Sequence, residues 1–304
     1  MVCSWFGSVT LLLLVAISAC AQTPQVGNKV GRSAQKCIEA TNDQPDILDT
    51  KTFDSGQVDY KGISFSFSPK LANAVVAELR SAELLECSDD KSDYAHPEHP
   101  VFKFKGGYTA SDLDWEPEIL IYPVADYKKT FAIAYDSGKE PYVVKLLSDF
   151  KAFLAKPATS FQRFNGEIPY ALFLDAHQIF QAKVHLVNFK NGKGIFYLTE
   201  WEQGLPSGIT NDRLEYTFQG LTNDGEYLVT ATFPVKAPFL PENFDEIKDR
   251  SFDFHPNDKV GEARYKRYVA QIVRKLESLP SKDFSVDLAL FDELIKSLRV
   301  DYRK

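Results

Sequence analysis

The chain has 304 residues, of which 44% are hydrophobic and 25% charged, a composition typical of a folded globular protein. Its 35 Lys and Arg residues against 42 Asp and Glu residues give a formal net charge of −7. This balance provides no electrostatic attraction to nucleic acid or to an anionic lipid surface, so neither is an expected partner on charge alone.

The first recognisable element is a short apolar run, "TLLLLVAISACAQ" at residues 10–22. The run is shorter than the roughly 20 apolar residues that a membrane-spanning helix needs, and it has the length of a signal-peptide core. It ends on "ISAC" at residues 17–20, which resembles the lipobox of bacterial lipoproteins. The resemblance implies that residues 1–19 are removed as a signal peptide and that Cys20 is acylated, with palmitate among its acyl chains.

One feature of this segment is atypical of a signal peptide, and one alternative to lipid attachment stays open. No Lys or Arg precedes Lys29, although a secretory signal normally opens with a basic residue, so Met1 is an uncertain start. An ordinary signal peptide cleaved at "SACA" or "ACAQ" would leave Cys20 lost or unmodified. Cleavage before Cys20 leaves 304 − 19 = 285 residues. Because Ala21 and Gln22 lack the Asp that retains such lipoproteins at the inner membrane, the resemblance implies the periplasmic side of the outer membrane in a cell with two membranes.

The cysteines give a second indication of export. Cys3 belongs to the signal peptide and Cys20 to the lipid site, so Cys37 and Cys87 remain. In an oxidising compartment such a pair favours a disulfide, here closing a loop of 87 − 37 + 1 = 51 residues. The chain-entropy estimate for this loop is about 4 kcal/mol before strain is subtracted. The alternative is two unrelated buried thiols.

Residues 20–54 are largely polar and predict a flexible tether. Ordered structure is expected from about residue 55, where apolar residues alternate on both sides of Lys61-Gly62 as in a half-buried strand or a tight hairpin. Residues 69–84 fit either a helix or a strand, and we favour the helix. "HPVFKFKGGY" and "PEILIYPV" predict strands, and the 3.6-residue spacing of apolar side chains in 142–154 predicts a helix.

After the breaker "KPATS", two turn sequences predict four consecutive antiparallel strands. "KNGK" contains Asn191-Gly192, the pair preferred in type I′ turns, and "TNDG" contains Gly225, which suits a left-handed position. A loop rich in Pro and Phe follows at 237–244. Two amphipathic helices, with apolar stripes over 260–276 and 288–298, then close the chain.

Strands followed by helices predict an α+β domain over residues 55–304, an antiparallel sheet built from hairpins with helices on one or both faces. A sub-division near residues 157–162 remains open, because both halves of the chain give strands and then helices. The halves share no residue-level similarity.

Two stretches resemble known families. "IFQAKVHLVNFKNGKGIFYLTEW" with "RLEYTFQGLTNDGEYLVTATFPVKAPFLP", about residues 179–241 and a fifth of the chain, is similar to a family of uncharacterised bacterial lipoproteins and exported proteins, which implies no site. "KGISFSFSP" and "LFDELIKSLRV" are similar to the two ends of lipoproteins related to the photosystem protein PsbP. That resemblance implies an antiparallel sheet between helices.

Few residues of the chain are candidates for catalysis or metal binding. The sequence contains no G-x-S-x-G, H-E-x-x-H, G-x-x-x-x-G-K-[ST] or G-x-G-x-x-G motif. His96 and His99 in "HPEHP" have metal-like spacing, but the flanking prolines disfavour a helix, so an exposed turn is preferred. Pro117 occupies the glycine position of a calcium loop in "SDLDWEPE", residues 111–118, which favours a solvated acidic turn. No metal or cofactor is predicted.

Three further candidates remain. His185 is either a catalytic base or a residue of the wetter face of its strand. Glu200, Glu202 and Glu215 lie on adjacent hairpins, where paired carboxylates would suit glycoside hydrolysis. Trp115, Trp201 and the loop 237–244 would either line a groove for a peptide, glycan or apolar ligand or plug the edge of the sheet.

The sequence therefore predicts a membrane-anchored envelope lipoprotein whose body is a non-catalytic binding or structural module. The alternative is a hydrolase acting on envelope polymers through an Asp, Glu and His site. A periplasmic solute binder would require two lobes around a cleft.

Overall fold

A large antiparallel sheet organises the computed structural model, which describes residues 46–83, 96–108, 116–134, 142–157, 161, 167–172, 176–204, 207–248, 250 and 258–302. The strands in these ranges are β1 (Ile47–Phe53), β2 (Gln57–Tyr60), β3 (Ile63–Ser66), β4 (Ala74–Arg80), β5 (His99–Lys105), β6 (Glu118–Pro123), β7 (His177–Gln178), β8 (Ala182–Phe189), β9 (Gly192–Thr199), β10 (Trp201–Glu202), β11 (Glu215–Thr222), β12 (Tyr227–Pro234) and β13 (Arg299–Val300). The helices are α1 (Val124–Ala134), α2 (Tyr142–Leu154), α3 (Lys259–Ser278) and α4 (Ala289–Ser297).

Eight strands form the main sheet in the order β1-β4-β5-β6-β12-β11-β9-β8. Each half of the chain contributes four neighbouring antiparallel strands, here called its meander, and then two helices. The β2–β3 hairpin is inserted within the first meander and β10 within the second. The last strands of the two meanders, β6 and β12, pair with each other, with Ile121 opposite Val229. The predicted α+β class with an antiparallel sheet is confirmed. Residues 157–162 lie between the two meanders, but both meanders belong to one continuous sheet.

Both faces of the central strands of this sheet are covered, so these strands carry buried side chains at consecutive positions. In β9, Phe196 and Leu198 face a core layer shared with α3, α4 and the small sheet β13-β3-β2. Ile195 and Tyr197 face the other layer, which α2 closes. All four side chains are fully buried.

Of the two alternatives for the residues around Lys61-Gly62, a single strand or a tight hairpin, the structure has the hairpin. β2 and β3 flank these two residues, which both have positive φ, 49° and 81°. The end of the chain packs against the same turn. β13 pairs with β3, and a Cβ on Gly62 would lie 2.3 Å from the carbonyl oxygen of Asp301.

Two predictions for the N-terminal half are wrong. Residues 47–53, placed in the tether, form β1, an edge strand whose side chains are mostly exposed and therefore need no apolar alternation. Residues 74–80, for which a helix was favoured, form β4. Val75, Ala77 and Leu79 alternate into the core, and the i, i+4 spacing that suggested a helix is also an even spacing on a strand.

The remaining elements are mostly as predicted. Strands β5, β6, β8, β9, β11 and β12 and helices α2, α3 and α4 are confirmed, whereas α1 was missed. Gly225 has φ 75°, as expected for its turn. The β8–β9 turn lies one residue earlier than predicted. Phe189 pairs with Gly192, so the turn consists of Lys190 and Asn191 and not of Asn191 and Gly192. A Cβ on Gly192 would lie 2.1 Å from the Phe189 ring, so close packing is what requires glycine there.

Candidate functional site

The end of the sheet where β9 finishes and β11 begins brings together most of the side chains selected from the sequence. Glu215, the first residue of β11, pairs with Thr199, the last residue of β9. Glu215 therefore shares a face with Thr199, and Glu200, one residue further on, points to the opposite face. The three candidate glutamates are thus divided between two separate groups.

The first group, the Arg213 cluster, consists of Arg213, Glu200, Glu202 and Ser207. The Arg213 guanidinium donates to Glu200 Oε1 at 2.6 Å and also forms an ion pair with Glu202. The same group donates to Ser207 Oγ at 2.6 Å and to the carbonyl oxygen of Gly208 at 2.8 Å, while Ser207 Oγ donates to Glu202 Oε2 at 2.7 Å. One guanidinium therefore holds two carboxylates and the segment that begins at Ser207.

Burial dominates the electrostatics of this cluster. Glu200 is only 1% exposed, and its desolvation raises its pKa to about 8 against the opposing attraction of Arg213. Its second oxygen accepts a hydrogen bond from the Thr210 backbone N–H at 3.4 Å. A pair of glycosidase carboxylates must flank the bond to be cleaved. Glu200 and Glu202 instead flank Arg213, so their arrangement is that of an ion-pair network which fixes a loop.

The Pro- and Phe-rich loop packs onto the same end of the sheet through Asn211. This buried side chain donates from Nδ2 to the Leu240 carbonyl oxygen at 3.1 Å and accepts at Oδ1 from the Ala237 N–H at 2.8 Å. Ala237 and Leu240 are buried, and Phe239 packs against the core. The loop 237–244 therefore packs against the sheet and covers its end. Of the two alternatives predicted for this loop, a ligand groove or coverage of the sheet, the structure has the second.

The second group, the Glu215 patch, consists of Glu215, Thr217, Trp201 and Tyr170. The Tyr170 and Trp201 rings are in contact, with centroids 4.6 Å apart, and both side chains are half-buried. Burial raises the pKa of the Glu215 carboxyl to about 8, although hydrogen bonds with Thr217 and Trp201 oppose the shift. At neutral pH this carboxyl is therefore mostly protonated, and it is hydrogen-bonded to Trp201, whose ring contacts Tyr170.

The segment carrying Tyr170 is held by a buried amide. Gln219 Nε2 donates to the Pro169 carbonyl oxygen at 3.0 Å, and Gln219 Oε1 accepts from the Ala171 N–H at 2.9 Å. Gln219 also donates to the Tyr197 hydroxyl at 3.2 Å. The polar network beneath the Glu215 patch thus fixes the backbone on both sides of Tyr170, which favours a preformed surface for ligand contact.

His185 is paired with Asp292 of α4, a residue that the sequence analysis missed. His185 Nε2 lies 3.0 Å from Asp292 Oδ2, and Nδ1 lies 2.9 Å from the Lys183 carbonyl oxygen. Burial opposes the charge on the ring, but the hydrogen bond and charge of Asp292 outweigh it and raise the pKa of His185. Both ring nitrogens face acceptors, so the imidazolium form satisfies both. This arrangement leaves no lone pair for a general base and supports the structural interpretation.

His96 and His99 lie side by side, with ring centroids 4.6 Å apart. His99 is buried and stacks on Tyr122, so an exposed turn is wrong for this residue. Its desolvation lowers its pKa to about 3, which keeps the ring neutral. His96 Nε2 lies 3.3 Å from Glu83 Oε2. Among the described residues, no group of three or more His, Cys, Asp and Glu side chains is placed to hold a metal ion.

The two described acids of "SDLDWEPE" also form ion pairs. Glu116 pairs with Lys105, and Glu118 Oε2 lies 3.6 Å from Arg80. Several predictions fall outside the described residues: the predicted signal peptide 1–19, the predicted lipid-attachment residue Cys20, the predicted disulfide partners Cys37 and Cys87, and the candidates Asp112, Asp114 and Trp115. None of the helices in the described part of the chain combines the length and apolar character that crossing a bilayer requires.

The chain matches no known protein-family model, no curated protein and no solved structure. The family resemblances derived from the sequence therefore stay predictions. The side chains that hold these groups carry no local sequence signal. They are Arg213, Asn211, Gln219 and Asp292. Their partners lie as far as 107 residues away along the chain, as for His185 and Asp292.

Proposed function

We propose that this chain is an envelope lipoprotein, anchored through an acylated Cys20, whose folded body binds a partner or ligand at the Glu215 patch without catalysing a reaction. The apolar run and the "ISAC" quartet support the anchor. In a cell with two membranes we place the protein on the periplasmic side of the outer membrane. The proposed disulfide between Cys37 and Cys87 would fasten the tether to the body.

The observation that carries the binding proposal is the pair of half-buried rings beside Glu215, fixed from below by Gln219. Aromatic side chains provide stacking surface for peptides and sugar rings, and a protonated carboxyl both donates and accepts hydrogen bonds. The Arg213 cluster and the His185–Asp292 pair support a non-catalytic role, because their groups are engaged with one another. The continuous sheet across both halves counts against a two-lobed solute binder.

The anchor is tested by mass spectrometry of the mature N-terminus and by membrane fractionation of the Cys20→Ser variant. We expect an acylated Cys20 as the first residue and release of the variant from the membrane. A mature protein that retains residues 1–19, or a variant that stays as firmly attached as the parent, would contradict the anchor.

The binding patch is tested with soluble peptidoglycan fragments and with envelope proteins co-purified in detergent. Trp201→Ala should abolish the recovered ligand, whereas Phe239→Ala, which removes an aromatic ring from the packed loop, should retain it. Equal recovery by both variants would contradict the patch.

The pKa of Glu215 favours one alternative, a hydrolase in which this carboxyl acts as the general acid. Release of soluble sugars or peptides from peptidoglycan distinguishes the two functions. A hydrolase loses this release in Glu215→Gln, whereas a binding module shows no release in either form.

A further inference from the structure

One edge of the main sheet lies open in the described part of the chain. β1 forms this edge, and its partner in the sheet is β4. Six of its seven residues are exposed, including Ile47 (54%) and Leu48 (53%), two of the three exposed large hydrophobic residues found in the described ranges. A free edge exposes backbone N–H and C=O groups, and apolar side chains on it favour pairing with another strand.

The opposite edge of the same sheet is treated differently. At β8, the Lys183 N–H donates to Glu277 Oε1 of α3 at 2.7 Å, and just beyond the strand the Lys190 N–H donates to the Leu298 carbonyl oxygen at 2.9 Å. The positive φ of Lys183, 56°, accompanies an irregularity in the pairing of β8 with β9. A backbone N–H capped in this way already donates to a helix side chain or to another segment, so it is not available to a further strand. β1 has a bulge at Leu48 but no such cap among the described residues.

The sequence of β1 is complementary to itself in one antiparallel register. When Thr50 lies opposite Thr50 of a second copy, Asp49 lies opposite Lys51 on both sides of the twofold axis. Opposite charges across two strands stabilise the pairing, and like charges oppose it. Moving the register by two residues, so that its centre lies at Lys51, places Lys51 opposite Lys51. The charges therefore favour the register centred on Thr50.

Within one chain, Asp49 has a cationic partner, whereas Lys51 lacks a carboxylate partner among the described residues. Asp49 Oδ2 lies 3.3 Å from Lys61 Nζ and accepts from the Tyr60 hydroxyl at 3.1 Å. Lys51 Nζ lies over the Phe53 ring at 4.7 Å and has no carboxylate partner among the described residues. We propose that β1 is the interface of a twofold-symmetric dimer, in which β1 of a second copy of this chain pairs antiparallel about Thr50. The dimer sheet then has sixteen strands, twice the eight of one chain.

A cysteine scan tests this register on the purified full chain in mild detergent. Residues directly opposite in an antiparallel pair have Cα atoms about 4.5–5.5 Å apart, within the range of a disulfide. Thr50→Cys should therefore form a disulfide with itself under mild oxidation. Thr52→Cys is the matched control, since its counterpart in the second copy is displaced by four residues, about 13 Å along the strand. Mass spectrometry of the linked peptides separates these products from disulfides of the native cysteines.

Sedimentation equilibrium tests the charge pairs. Lys51→Asp places two carboxylates opposite each other on both sides of the axis and should raise the dimer dissociation constant by about tenfold or more. The double variant Asp49→Lys with Lys51→Asp restores the pairing and should recover much of the affinity. Circular dichroism verifies that each variant is folded.

Three results would overturn the proposal: a monomer at every concentration, equal self-linking by Thr50→Cys and Thr52→Cys, or linking of Thr50→Cys to a different protein alone. The proposal does not depend on the lipid anchor or on the Glu215 patch.

Discussion

Replacement of Arg213 by Met should destabilise the protein strongly, because it leaves two carboxylates without their cation. Glu200 is 1% exposed and Glu202 17%, while Arg213 itself is 31% exposed. Removal of one partner of a buried ion pair typically costs about 3–5 kcal/mol. Since the guanidinium is partly hydrated, we expect the lower end, about 3 kcal/mol, at about pH 9, where Glu200 is ionised in the parent. That is a large fraction of the roughly 5–15 kcal/mol by which a typical domain is stable.

The cost should also increase with pH. Burial already raises the pKa of Glu200 to about 8, and loss of Arg213 raises it further. Below both values Glu200 is protonated in each protein, so this part of the penalty is absent. Above about pH 8, ionising Glu200 costs less free energy in the parent than in the variant. The difference between their free energies of unfolding therefore grows by up to about 1.4 kcal/mol per pH unit.

Urea unfolding followed by circular dichroism at about pH 6 and about pH 9 measures both effects. Arg264→Met is the matched control, because Arg264 is exposed on α3 and lies 3.7 Å from Asp258. We expect a cost below about 0.5 kcal/mol for the control at either pH. If Arg213→Met costs no more than Arg264→Met, or if its cost does not increase with pH, the role assigned to the Arg213 cluster is wrong.

Three other substitutions test the remaining supports of the fold. Phe291→Ala should cost about 3–5 kcal/mol in urea unfolding, because this buried ring stacks on Phe233 at 4.3 Å, and Phe291→Leu should cost much less; similar costs would contradict the packing. The folded pKa of His185 is raised, so its contribution is complete below its unfolded pKa and is lost as pH rises through the folded pKa. Since the ring is 39% exposed, His185→Gln should cost at most about 1 kcal/mol at pH near 5.5 and less at pH near 9, and the reverse order would refute the pairing. Gly62→Ala forces a Cβ to 2.3 Å from the Asp301 carbonyl oxygen at φ 81°, so it should speed amide hydrogen exchange in β13, and unchanged exchange would contradict that contact.

The sequence alone determined the elements whose signals are local. Alternating apolar residues around a turn with positive φ located the hairpins at Gly62 and Gly225. The 3.6-residue stripes located α2, α3 and α4. These predictions succeeded because each depends on residues only a few positions apart, and together they were sufficient for the α+β class.

Tertiary structure decided what depends on distant partners. β1 has no apolar alternation, because an edge strand exposed on both faces needs none, and only its pairing with β4 makes it a strand. Glu200 and Glu202 were candidates for catalysis until the fold placed Arg213 between them, and Glu215 was separated from them by the alternation of adjacent residues across the sheet. His185 acquired its role from Asp292, 107 residues away. Spacing along the chain specifies the periodicity of an element, but only packing determines which charges meet and which are removed from water.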